Sequence, residues 1–160
     1  MQKITVLCVG KLKEAFYAAA VAEYQKRLSR FCKLEICELA EQRLGDDPSP
    51  AEIEQALRRE ADAICEKLPH GGALIALCIE GTEMDSVTLS EKLGQFASAG
   101  YSQLTFLIGG SFGLHASVKA RADLRLSMSP MTFPHHLARV MVLEQLYRAF
   151  QINSGSRYHK

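Results

Sequence analysis

The residues best able to do chemistry gather in the last third of the chain. Gly109-Gly110-Ser111-Phe112-Gly113 follows an apolar run, and glycines at such a turn let backbone come close to a ligand. The spacing is neither GxGxxG nor GxxxxGK followed by Ser or Thr, so the phosphate cradles built on those spacings are excluded. It does fit GxSxG, the strand-to-helix turn that exposes a nucleophilic serine, and Asp123 and His135 follow Ser111 in the order of a hydrolase triad. That pattern is short and recurs by chance, and 160 residues are few for a hydrolase of that kind. Close approach of backbone to a flat or bent small molecule fits the same glycines. Beyond them, His135 follows Pro134, and a histidine titrating near neutrality suits proton transfer. Glu144 and Arg148 stand four apart, a spacing for an ion pair on one helix face or for a carboxylate and a guanidinium offered to a substrate. Tyr158 and His159 lie at the terminus, where a chain ordinarily frays.

Composition narrows the function classes. Apolar residues make up 48% and charged residues 23%, the balance of a folded soluble chain, and the length corresponds to one domain, residues 1–160. No secretory leader is recognisable, and the longest apolar run, Ala73–Ile79, is far short of the ~20 residues of a membrane span. The expected location is the cytoplasm. Cys8, Cys32, Cys37, Cys65 and Cys78 are odd in number and contain no CxxC pair, so they are expected to be reduced, mostly buried thiols. No metal-ligand cluster is present, and no metal is expected. The net charge of +1 is low for a nucleic-acid binder. From His135 to Lys160, however, four Lys/Arg oppose the single acid Glu144, and the acidic balance falls around Glu38 to Glu66. Any RNA surface is therefore expected near the C-terminus, with shape and a large partner mattering more than charge.

The elements that must position these residues alternate. Ile4–Val9 reads as a strand, and Glu14–Phe31 as a helix with apolar positions three and four apart. Lys33–Leu39 reads as a half-exposed strand, and Gln42–Ser49 as a loop. Ser49-Pro50-Ala51-Glu52 is a helix start with a capping box, running to about Leu68. Ala73–Ile79 is a strand covered on both faces, Thr88–Ala99 a helix closed by Gly100, and Leu104–Ile108 a second covered strand. A short helix (His115–Ala122), a strand (Leu124–Ser127), a loop (Met128–Pro134) and a long helix from His135 or His136 to about Gln151 complete the chain. The pattern is α/β, a mostly parallel sheet with helices on both faces, and ligands of such sheets bind outside the carboxyl ends of the strands. The last helix has almost no polar face: Leu137, Val140, Met141, Val142, Leu143, Leu146, Tyr147, Ala149 and Phe150 surround it. A helix apolar all round must be buried all round, which near a terminus points to a second copy of the chain.

One ordered series of segments joins these features. Val9-Gly10-Lys11, Ile79-Glu80-Gly81, Leu107-Ile108-Gly109-Gly110 with Gly113-Leu114, Met131-Thr132-Phe133-Pro134-His135, Arg139-Val140, Glu144-Gln145-Leu146-Tyr147-Arg148-Ala149 and Tyr158-His159-Lys160 together closely resemble the bacterial large-subunit ribosomal RNA methyltransferases of the SPOUT class. The resemblance spans essentially the whole chain. It implies a deep trefoil knot at the C-terminal end of the sheet, a feature that ordinary topology rules would reject. It also implies a homodimer that methylates N(3) of a pseudouridine in 23S ribosomal RNA using S-adenosylmethionine as cofactor. The resemblance leaves free RNA or the assembled ribosome open, and the low charge favours the ribosome. Carried over by position, the cofactor would lie against Leu77, Gly109, Gly110, Met128, Ser129, Pro130, Met131, Thr132 and Phe133. His135, Glu144, Arg148, Tyr158 and His159 would serve the substrate side, with the choice of general base left open among them. Tyr17, Tyr24 and Tyr101 read as packing residues.

Overall fold

The structure, a computed structural model, describes every residue from Met1 to Lys160. Five strands alternate with five helices: β1 (Lys3–Val9), α1 (Ala15–Leu28), β2 (Lys33–Leu39), α2 (Pro50–Lys67), β3 (Ala73–Glu83), α3 (Ser86–Ser98), β4 (Gln103–Ile108), α4 (Ala116–Arg121), β5 (Leu124–Ser127) and α5 (His135–Asn153). The strands form one sheet in the order β2-β1-β4-β3-β5, with every pairing parallel. Period-two alternation divides the core. Ile4, Val6 and Cys8 of β1 join Ile75 of β3 and Leu104, Phe106 and Ile108 of β4 on the face covered by α1, α3 and α5. Leu7, Val9, Leu74, Ala76 and Leu107 turn the other way, toward α2 and α4. Both faces of a parallel sheet must be covered, and here they are.

Local chemistry sets the element ends. Ser49 caps α2 by accepting from the Glu52 N–H at 3.2 Å, with Pro50 in the first turn. Its hydroxyl meets the Glu52 carboxylate at 3.2 Å, so the reciprocal half of the capping box runs through the two side chains. Helix α3 starts earlier than its apolar spacing predicts, because Asp85 accepts the Thr88 N–H at 2.7 Å and caps the helix there. Strand β3 runs past Ile79. Leu126 of β5 faces both Leu77 and Thr82, so residues 78–81 bow out of the ladder as a bulge. A Cβ at Gly81 would stand 2.8 Å from the Arg125 carbonyl, which explains a glycine inside a strand.

Helix α5 lies between α1 and α3 on the sheet. Val142, Leu143, Leu146 and Ala149 are buried. Phe150 stacks on Phe31, ring centroids 5.7 Å apart, and Tyr147 meets Tyr24 and Phe31 edge-on. Much of the apolar surface that pointed to a second copy is thus covered within the chain, by two neighbouring helices the sequence pattern did not place beside it. Leu137 and Met141 are the exceptions: both are half-buried and belong to neither core. The cysteines also depart from expectation. All five are unpaired, but only Cys8 and Cys32 are buried, Cys37 and Cys78 are half-buried and Cys65 is exposed, because it falls on the outer face of α2.

Candidate active site

Above the carboxyl ends of β3, β4 and β5, three segments enclose a cleft of about 750 Å³. The segments are the β3 bulge, the glycine loop after β4 and the loop after β5. Leu77, Gly109, Gly110, Met128, Ser129, Met131, Thr132 and Phe133 line it. Pro130 does not; it is exposed at the turn of its loop. The bulge adds Cys78, Ile79 and Glu80, and an ion pair between Glu80 and Lys119 of α4 stands at its edge. Ile79-Glu80-Gly81 was one of the matching segments, but the sequence did not show that residues 78–81 leave the ladder, since the bulge exists only through pairing with β5.

Close packing explains the glycines. A Cβ at Gly109 would stand 2.5 Å from the Gly113 carbonyl oxygen, and Gly113 itself has φ +80°. A Cβ at Gly110 would meet the carboxylate of Glu41 at 2.5 Å. The same carboxylate accepts the Ser111 N–H at 2.7 Å, so Glu41 latches the glycine loop to the loop between β2 and α2. Its own loop is fixed in turn, because the buried Glu60 accepts the Gln42 N–H at 2.8 Å. Nothing in the spacing of the acidic middle segment marked Glu41. The hydrolase alternative has no geometry behind it: Asp123 accepts the Leu74 N–H at 2.7 Å, at the start of β3 and the far end of the sheet from Ser111.

The first turn of α5 forms the wall between this cleft and a second one of about 920 Å³ over the ends of β1 and β2; both are lined by Ser111, Phe112, Pro134 and His135. Burial, then the neighbouring His136, hold the His135 imidazole below its ordinary pKa. It is neutral near pH 7, with a nitrogen free to take a proton. One turn on, Arg139 is 1% exposed. It donates to Glu38 at 2.7 Å and to the Gly10 carbonyl at 3.2 Å, tying α5 to the ends of β1 and β2. Burial pushes the Glu38 carboxyl up, but the bond from Arg139, the Leu12 N–H and the nearby positive charges together outweigh it, and the net shift is downward.

The other substrate-side residues cluster elsewhere. Arg148 grips Glu144 through Nε and Nη2 at 2.9 and 2.7 Å. The Tyr158 hydroxyl donates to Glu144 at 3.1 Å, and Arg148 lies 4.9 Å from the Tyr158 ring centre and 3.2 Å from His159 Nδ1. The tail, expected to be free, is folded back onto α5 by these contacts. Burial, then Glu144, raises the Tyr158 pKa, so the phenol stays a donor. His135 and Glu144 are nine positions apart on the helix, about 13.5 Å along the axis at ~1.5 Å per residue. The structure therefore splits the five into His135 at the cleft and a group of four down the helix.

Three comparisons bear on this arrangement. A family model described as predicted SPOUT methyltransferase matches residues 2–159. A protein of Streptococcus equi subsp. zooepidemicus named ribosomal RNA large subunit methyltransferase H is 49% identical over 158 residues, 99% of both chains. One of the same name from Acetivibrio thermocellus is 44% identical over 158 residues, again 99% of both. Among solved structures, a chain described as a probable methylase family protein from Haemophilus influenzae Rd KW20 shares the fold. It has a TM-score of 0.55 at 13% identity, covering 96% of this chain and 67% of that one.

Proposed function

The chain belongs to the SPOUT methyltransferase family, and from that premise we propose that it methylates N(3) of a pseudouridine in 23S ribosomal RNA, in the assembled ribosome, as a cytoplasmic homodimer using S-adenosylmethionine. The full-length likeness to proteins named for large-subunit ribosomal RNA methylation supports the substrate. No helix is long and apolar enough to cross a membrane. A knotted C-terminus fits a path that leaves β4, passes β3 to form β5, and brings the loop after β5 back against the glycine loop.

The cleft suits the cofactor. About 750 Å³ falls in the usual range for small-molecule sites, and its lining is largely apolar side chains and glycine backbone, fit for an adenine and a methionine stem. Leu77, the glycine loop and residues 128–133 would hold it. When bound, S-adenosylmethionine supplies a methyl group activated on sulfonium. The protein then has to place N(3) and accept its proton. His135 is neutral and stands at the cleft wall, so its ring nitrogen takes that proton. Arg148 and the Tyr158 hydroxyl are donors for the charge that develops on the uracil oxygens or for a phosphate.

The separation within α5 is the observation that carries the dimer. One chain cannot bring His135 and the Arg148 group to one acceptor base. Leu137 and Met141 leave a half-open apolar surface, flanked on α1 by exposed Ala15, Ala18, Ala19 and Ala22 at helical spacing. In a two-fold contact the same surface serves both copies. With antiparallel α5 helices crossing near Met141, His135 of one copy stands opposite Tyr147 and Arg148 of the other.

Subunit complementation tests this. His135→Ala and a chain lacking Tyr158–Lys160 should each be nearly inactive. Co-expressed, they should recover about a quarter of parental transfer, since half the random dimers are mixed and each has one intact shared site. No recovery from folded mixed dimers would mean that the site lies within one chain.

A further inference from the structure

The second cleft, over the ends of β1 and β2, has no part in holding cofactor, yet it opens on the first through the wall formed by Phe112 and His135. Its volume, about 920 Å³, is large enough for a nucleotide. Three cations line it, Lys11 and Lys13 from the β1–α1 loop and Arg43 from the β2–α2 loop. All three are exposed, and none lies within 4.0 Å of a carboxylate. The two carboxylates in the same lining are engaged: Glu14 meets His136 Nδ1 at 3.1 Å, and Glu41 accepts the Ser111 N–H. Aromatic surface is present as well. Tyr17 is half-buried, and Phe112 is 48% exposed at the mouth shared with the cofactor cleft. Free cations beside aromatic faces are how proteins hold single-stranded nucleic acid, by phosphate neutralisation and base stacking.

We propose that this cleft binds the unpaired nucleotides adjoining the target pseudouridine, with Lys11, Lys13 and Arg43 on their phosphates and Phe112 and Tyr17 against a base. The inference rests on the RNA reading above and extends it to residues from the N-terminal half. Charge counting along the chain had pointed to the C-terminus, because Lys11 and Lys13 join Arg43 only in space, about thirty positions away in sequence. A base seated here puts the next nucleotide at His135 and the methyl-bearing cleft, so the cleft sets which base of a strand is presented.

The probe is a 23S-derived hairpin carrying the target pseudouridine with unpaired nucleotides on both sides. Lys11→Gln, Lys13→Gln and Arg43→Gln combined should weaken its binding at least tenfold and lower the slope of log K against log salt by two to three, about 0.7 to 0.9 per lost phosphate contact. Phe112→Ala alone should weaken binding about tenfold without changing the slope. In the triple variant, whose residues line only the second cleft, melting temperature and S-adenosylmethionine affinity, measured by calorimetry, should stay at parental values. Arg59→Gln with Lys67→Gln, on α2, is the control and should bind like the parent. Unchanged affinity and slope in the triple variant would overturn the cleft assignment alone. A triple variant that binds the hairpin normally but fails on ribosomes would also overturn it, in favour of a protein contact. A parent that methylates no ribosomal RNA would instead remove the functional reading on which the cleft depends.

Discussion

The two ends of α5 are built on opposite principles. At the first turn, His135 is placed by the fold itself: Pro134 sets the helix start, Arg139 anchors the next turn to Gly10 and Glu38, and backbone-lined loops close around it. Further down, Glu144, Arg148, Tyr158 and His159 are held by side chains, through half-buried or exposed bonds among themselves and the Tyr158 ring edge-on to Tyr147. Groups fixed by buried backbone suit a pocket that must keep one shape. Groups held by side-chain contacts alone are easier for an arriving substrate to displace.

The comparison breaks if the tail matters to the fold or the first turn does not. Removing Tyr158–Lys160 should lower methyl transfer to ribosomes by about a thousandfold, the scale that positioning contributes, with melting temperature and cofactor affinity nearly unchanged. Full methylation of 23S ribosomal RNA in cells carrying only the shortened chain, read by mass spectrometry, would make the tail an ordinary terminus. Arg139→Ala should do the reverse and cost about 3 kcal/mol of stability in denaturant titration, since it strands Glu38 beside a buried void. A loss below ~1 kcal/mol would mean that α5 is held without it.

The glycine loop sharpens the contrast. Gly109→Ala must move backbone at Gly113, whereas Gly110→Ala meets the flexible end of Glu41. Calorimetry should find cofactor affinity at least tenfold weaker for the first, ~1.4 kcal/mol, and a smaller loss for the second. Ser111→Ala should stay within twofold, because the loop uses its N–H and its hydroxyl bonds nothing. The smallest effect concerns pH. A lowered His135 pKa leaves more than half the imidazole neutral at pH 6.5, so the rate limited by this base should change less than twofold from there to pH 8. It should fall only below that window, and His135→Ala should lose the acid limb. A midpoint above 6.5 would assign the proton to another group.

Much of this was legible in the chain, and the exceptions share a cause. Strand and helix alternation, the Ser49-Pro50 start and the glycine loop are local patterns, and the structure has elements at those places. The ordered segments also named many of the residues that line the cleft above β3, β4 and β5. The bulge at 78–81, the Glu41 latch and the basic cleft are not local. Each arises when segments tens of residues apart meet, as Glu41 and Ser111 do across 70 positions. An acid in an acidic stretch carries no mark of the loop it will reach. The apolar last helix was legible as buried, but which partners bury it depended on α1 and α3 flanking it.

Arg139 reaches Gly10 across 129 positions of chain. Synthesis proceeds from the N-terminus, so β1 through β4 are made long before either cleft has its final wall. A chain that ends before α5 lacks both the wall of the two clefts and part of the cover over one sheet face. Competence arrives with the last thirty or so residues, and a pocket assembled from contacts this distant in sequence is expected to form slowly. Stopped-flow refolding should accordingly register strand and helix signal before cofactor binding returns. Simultaneous recovery of both would mean that the early elements wait for α5.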